Sequence, residues 1–121
     1  MRYPFDSIQT KQLNIDVFET VYHAALEASN GLAIEHGPYP AWDGSPAEAG
    51  QAVQVDMWHT QRSGRYDFAD LRSRIAPYGL RNSMLTAQMP TASTAKLLGN
   101  FESTEPYTRS VSGTIRPNSC S

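Results

Sequence analysis

Cysteine is nearly absent: Cys120 is the single one among 121 residues. No intrachain disulfide can form, and no Cys-x-x-Cys pair exists for a zinc or redox centre. Small secreted scaffolds usually carry several cysteines, so this composition points to the cytoplasm. A surplus of positive charge is also missing. The 10 Lys and Arg face 12 Asp and Glu, giving a formal net charge of -2 and a pI near 5.8. Nothing here drives binding to nucleic acid or to an anionic membrane surface. No run approaches the ~20 apolar residues of a membrane span. Met1–Asp6 has no apolar stretch behind Arg2, so it does not read as a signal peptide. His23, His36 and His59 are scattered without metal-ligand spacing, so neither a metal nor a cofactor is expected in this chain.

What remains is an ordinary soluble composition, 40% hydrophobic and 18% charged, in a length that suits one domain at most. Pro4 turns the first residues away from helix, and Asp6 or Ser7 is placed to cap a helix beginning just after them. Over residues 9–35, Leu13, Val17, Val21 and Ala25 recur at four-residue spacing, and Phe18, Tyr22 and Leu26 widen the stripe. This predicts an amphipathic helix of roughly 20–27 residues, or two helices broken at Gly31, with Gly37-Pro38 as the firmer stop.

Residues 36–65 are irregular and rich in Pro and Gly. Within them, Ser45-Pro46-Ala47-Glu48 has the form of a helix start, with one turn to follow before Gly50. Asp67 opens another helix. Phe68, Leu71 and Ile75 share its inner face, and Pro77 with Gly79 ends it. Ser83–Ala87 reads as a buried strand. Ala95–Leu98 reads as a first helical turn halted by Gly99. Residues 109–121 are polar and aperiodic, and are expected to be disordered.

The chemistry concentrates between that strand and that turn. Pro90-Thr91-Ala92-Ser93-Thr94 combines small residues, which admit close approach, with three hydroxyl donors. The first N–H groups of a helix have no internal partner and carry partial positive charge. Lys96 adds a full charge if it turns back toward the loop. The pattern alone leaves two readings, plain helix capping or an anion site.

A wider set of motifs bears on that choice. Arg81-Asn82-Ser83-Met84-Leu85-Thr86-Ala87-Gln88-Met89-Pro90-Thr91-Ala92-Ser93-Thr94-Ala95 resembles the large, catalytic subunit of class I ribonucleotide reductase. So do Leu98-Gly99-Asn100, Glu105-Pro106-Tyr107-Thr108, Phe18-Glu19-Thr20, Ala25-Leu26-Glu27-Ala28-Ser29, Gly44-Ser45-Pro46 and Asp56-Met57-Trp58. The likeness runs in order from residue 1 to about 108. It departs from the family pattern at Gln88, Lys96, Phe101 and Pro77.

The resemblance implies an α/β fold, here a partial segment of a ten-stranded α/β barrel: a long amphipathic helix, short helices and one or two strands. It implies that Pro90, Thr91, Ala92, Ser93 and Thr94 contact the diphosphate of a ribonucleoside diphosphate being reduced for DNA precursor synthesis. Its implied partners are a second large subunit and a radical-generating small subunit. The family's chemistry needs a thiyl-forming cysteine and two reducing cysteines. Cys120 matches none of them, so no catalytic residue is expected, and the chain is expected to be an inactive fragment on its own. The alternatives are a phosphate-binding module and a protein that pairs with intact subunits.

The other tempting residues have plainer readings. His23 is expected to pack or to lie at the surface rather than to act as a ligand. Asp16, Glu19 and Glu27 are expected on solvated helix faces. Glu102 and Glu105 have no base partner. Trp42, Trp58 and Tyr66 are expected as core or interface aromatics, and Met84 and Met89 as core.

Overall fold

The structure is a computed structural model and describes residues 3–51 and 62–102. These divide into two compact units, one within Met1–Ala87 and one within Gln88–Ser121. Asp56–Trp58, His59, Glu105 and the 109–121 tail lie outside the described residues.

Helix α1 spans Ile8–His36, 29 residues without a break. Ser7 starts it: its Oγ accepts from the Thr10 amide at 3.2 Å and donates to Thr10 Oγ1 at 3.0 Å. Gly31 lies inside the helix, where a glycine costs about 1 kcal/mol relative to alanine but does not force a break. Gly37 stops it at φ 79°, its amide donating to the Ala33 carbonyl at 2.8 Å.

The buried face of α1 meets the expected stripe only along its widened edge, where Leu26 is buried and Tyr22 packs against the core. Val17 and Val21 are exposed, while Glu19, Leu26, Ser29, Asn30 and Ala33 are buried. A helix turns 100° per residue, so these residues lie beside the valine stripe rather than on it. The covered side mixes Leu26 and Ala33 with polar Glu19, Ser29 and Asn30, while Val17 and Val21 lie on another side that stays exposed.

Helix α2, Phe68–Tyr78, covers that side. Asp67 caps it, its Oδ1 accepting from the amides of Ala69 at 2.9 Å and Asp70 at 3.0 Å. Phe68, Leu71 and Ile75 face inward as their spacing requires, and the helix passes Pro77 by one residue before Gly79 caps it. Together with Leu26, Trp42 and Leu80 they form the core, and Tyr22, Tyr39, Ala47, Tyr66 and Leu85 pack around it. Burying side chains of this kind contributes about 1.5–3 kcal/mol each.

The irregular stretch is held by this core. Trp42 meets Tyr39 edge-on at 5.6 Å. A short helical segment, Ala47–Gln51, follows Ser45 and is kinked at Gly50, whose φ is 82°. The Glu48 amide donates to Ser45 Oγ at 3.2 Å, and the Gly44 amide donates to Glu48 Oε2 at 2.6 Å.

No strand occurs among the described residues, so the expected α/β segment is all-helical here. Ser83–Ala87 is irregular, and Met84 is 87% exposed rather than core. A strand needs a neighbour to satisfy its amides and carbonyls. The backbone bonds in this region stop short of the segment, with the Arg81 amide donating to the Ser29 carbonyl at 3.1 Å and the Tyr39 amide to the Leu80 carbonyl at 2.9 Å. Met89 is exposed too, for the same want of a covering layer.

Three further expectations are settled by packing. Glu19 is buried instead of solvated: its Oε2 accepts from the Ser63 amide at 2.8 Å, tying the loop before α2 to α1. Of the two readings for His23 the structure shows packing, with the ring stacked on Tyr66 at 4.6 Å and edge-on to Phe68 at 5.3 Å. Asp16 and Glu27 form ion pairs with Arg65 at 2.9 Å and Arg74 at 3.0 Å.

Candidate functional site

The candidate loop belongs to the second unit. Helix α3, Ser93–Leu98, follows it and has only six residues. Ala92 occupies the cap position with φ 42° and ψ -102°, and no side chain caps the helix. Plain capping therefore does not explain the hydroxyls. Ser93 and Thr94 sit inside the first turn, and the hydroxyls of Thr91, Ser93 and Thr94 make no hydrogen bond among the described residues.

A positive φ at a residue with a Cβ is uncommon and costs on the order of 1–3 kcal/mol. The backbone around Ala92 holds it there. The Thr91 amide donates to the Glu102 carbonyl at 3.0 Å, the Thr94 amide to the Thr91 carbonyl at 3.1 Å, and the Lys96 amide to the Ala92 carbonyl at 3.2 Å. The Thr94 amide is thus occupied in closing the turn, while the Ser93 amide makes no hydrogen bond among the described residues.

The far end of α3 is closed by glycine. Gly99 is left-handed at φ 69°, and the Asn100 amide donates to the Ala95 carbonyl at 2.8 Å. Pro90, Thr91, Ala92, Ser93 and Thr94 are all exposed, and Ala95 is the buried member of the helix. The five residues are contiguous on one open turn, with three hydroxyls available to a ligand. Lys96 lies within α3 and forms no ion pair among the described residues.

Two residues that sequence reading passed over fix the chain on its way out of the first unit. Ser29 Oγ accepts from the Asn82 amide at 3.0 Å and donates to Asn82 Oδ1 at 3.3 Å. Asn30 Nδ2 donates to the Gly79 carbonyl at 2.9 Å. The signal was legible: both polar residues fall between Leu26 and Ala33, at helical spacing on one face. Arg74 joins Glu27 on the exposed side of the same pair of helices. The hydrogen bond to Glu27 raises its pKa above the ordinary guanidinium value, and nearby Asp70 adds to the effect.

Comparison with known sequences decides the family. The family model described as "Ribonucleotide reductase, barrel domain" matches residues 1–114. The chain belongs to this family. The ribonucleoside-diphosphate reductase large subunit of Caenorhabditis elegans is 54% identical over 111 residues, which is 92% of this chain and 14% of the relative. The large subunit of Plasmodium falciparum (isolate Dd2) is 51% identical over 112 residues, again 92% of this chain and 14% of the relative. That of Danio rerio is 50% identical over 111 residues, with the same shares. The chain thus spans about 14% of the length of the curated ribonucleotide reductase subunits it matches. The barrel-family match includes α1, α2, α3 and the whole 90–94 loop.

No group of three or more His, Cys, Asp or Glu side chains that could hold a metal ion occurs among the described residues. No helix among them is long and apolar enough to cross a membrane.

Proposed function

We propose that Pro90–Thr94 is the segment of a ribonucleotide reductase large subunit that grips the diphosphate of a ribonucleoside diphosphate. The observation that carries this reading is a set of exposed donors on one turn that have no partner among the described residues: the hydroxyls of Thr91, Ser93 and Thr94 and the amide of Ser93. Phosphate oxygens accept from such donors, and the small Ala92 leaves the backbone open to them. Lys96 adds a positive charge one turn into α3. The loop binds and orients. It carries no group that abstracts hydrogen or supplies electrons.

Reduction of a ribose hydroxyl needs two thiols to give up two electrons, and a third sulfur to start the radical step. This chain holds one cysteine, Cys120, so it does not turn over alone. In a complete barrel, neighbouring strands supply partners for Ser83–Ala87, which then takes strand geometry and carries the loop at its end. The reaction there uses a second large subunit and a radical-generating small subunit, in the cytoplasm.

Titration calorimetry with ADP tests the loop. The intact chain is expected to bind weakly, in the millimolar range. Ser93→Ala is expected to weaken binding roughly fivefold, since one hydrogen bond contributes about 1 kcal/mol. Absence of heat at millimolar ADP overturns the reading. Nucleotide reduction by the chain with a small subunit and a dithiol overturns its inactivity.

A further inference from the structure

The turn ahead of Ala47–Gln51 holds a hydroxyl that neither the core nor the 90–94 loop uses. Of the eight prolines in the chain, Pro46 alone follows a serine or threonine. Asp43, Gly44 and Pro46 are exposed and Ser45 is half-buried, in turns rather than regular structure. A Cβ built on Gly44 would meet nothing within 4 Å, so the approach on that side is open. Ser45 Oγ accepts from the Glu48 amide and donates to no group among the described residues. Its proton is therefore available to a base. Proline-directed protein kinases accept a serine or threonine that is followed by proline. Pro46 has no N–H to satisfy, and it biases Ser45 toward the extended backbone that a kinase groove holds.

The same turn shows what a phosphate there does. The Gly44 amide donates to Glu48 Oε2 at 2.6 Å, and the Glu48 amide donates to Ser45 Oγ at 3.2 Å. The hydroxyl and the carboxylate therefore meet at one short stretch of backbone. A phosphoserine carries a charge of about -1.5 to -2 at pH 7 and three strong acceptor oxygens. Set beside the Glu48 carboxylate, it takes over the Glu48 amide and repels the carboxylate, which leaves the Gly44 amide to water. The change reaches the edge of the core, because Ala47 packs against it and the Ser45 amide donates to the Trp42 carbonyl at 3.0 Å.

We propose that Ser45 is a phosphorylation site for a proline-directed protein kinase, and that its phosphate expels the Glu48 carboxylate from the Gly44 amide. The phosphoryl donor is ATP. Ser45 Oγ forms a bond to the γ-phosphorus, and the bond from that phosphorus to the β-phosphate oxygen breaks. ADP leaves, and the hydroxyl proton passes to the catalytic aspartate of the kinase. The inference does not depend on what the 90–94 loop binds.

Treating the full chain with an active mitogen-activated protein kinase and MgATP, then mapping the product by mass spectrometry, tests the site. Phosphate is expected at Ser45, and Pro46→Ala is expected to lower its incorporation by about tenfold or more. No phosphate at Ser45, or equal incorporation without the proline, overturns the proposal. Hydrogen exchange tests the consequence. The Gly44 amide is expected to exchange about fivefold faster in the phosphorylated chain, the protection that one hydrogen bond gives. Glu48→Gln keeps a side-chain acceptor without the charge, so phosphorylation of that variant is expected to leave the Gly44 rate unchanged. An unchanged rate in the phosphorylated chain, or the same acceleration in Glu48→Gln, overturns the displacement of the carboxylate.

Discussion

Residues 3–87 and residues 88–102 handle their polar groups in opposite ways. In the first unit the buried polar side chains of α1 are engaged, Glu19 through its Oε2, while its buried Oε1 has no hydrogen-bond partner among the described residues. Glu19 holds the Ser63 amide, Ser29 holds Asn82, and Asn30 holds the Gly79 carbonyl. In the second unit the hydroxyls of Thr91, Ser93 and Thr94 stand exposed beside a positive-φ alanine and make no hydrogen bond among the described residues. The first unit commits its donors to its own architecture. The second leaves them available for something else. The proposed binding loop and the scaffold thus differ in how their hydrogen bonds are disposed among the described residues more than in their composition.

The comparison breaks most readily at Phe68. Its side chain is fully buried in the core with Leu26 and Leu71, edge-on to the His23 ring. Phe68→Ala is expected to cost about 3–5 kcal/mol, most of the stability of a small domain. Far-UV circular dichroism through a urea titration should show the helical signal lost at low denaturant. A midpoint close to that of the unsubstituted chain contradicts the core described here.

Gly79 comes next. It sits at φ 75°, and a Cβ there would lie 2.9 Å from both Pro38 Cβ and Trp42 Cε2. Backbone strain and collision with a buried indole act together, so Gly79→Ala is expected to cost about 2–4 kcal/mol. Trp42 fluorescence should shift toward that of a solvated indole, because the ring is the atom group that must move. Asn30→Ala follows at about 1–3 kcal/mol, the usual consequence of stranding a buried carbonyl. In that variant the amides of Arg81 and Asn82 should exchange hydrogen faster, since their acceptor Ser29 is the neighbour of the lost anchor.

How far these features were legible in the sequence obeys the same division. Helix α2 was readable from Asp67 to Gly79 because cap, apolar spacing and stop all agree locally. The start of the turn at Ser45-Pro46 was readable for the same reason. The inner face of α1 was legible only at Tyr22 and Leu26, because Glu19, Ser29 and Asn30 are polar residues buried by partners distant in sequence. Glu19 was misplaced because its partner, the Ser63 amide, lies 44 positions away. Ser83–Ala87 carries strand-like residues, but strand formation depends on a neighbour that local sequence does not supply. The loop 90–94 was legible as residue types and as a family likeness. Ala92, rather than a hydroxyl residue, as the helix cap was not, because the bond that shapes the turn comes from Glu102.

The smallest expected effect sharpens the contrast. Leu97 is 86% exposed in the six-residue α3. Burial, not residue type, sets the cost of truncating a leucine, so Leu97→Ala removes almost no buried area. Alanine also favours helix slightly over leucine. The urea midpoint is expected to stay within about 0.5 kcal/mol of the unsubstituted chain, where Leu71→Ala at a fully buried site costs about 2–5 kcal/mol. Two leucines of the same chain, truncated by the same atoms, would then differ about tenfold in consequence. A large loss at Leu97 instead would mean that the second unit possesses a core of its own, and that its open loop is less available to a ligand than its exposed hydroxyls indicate.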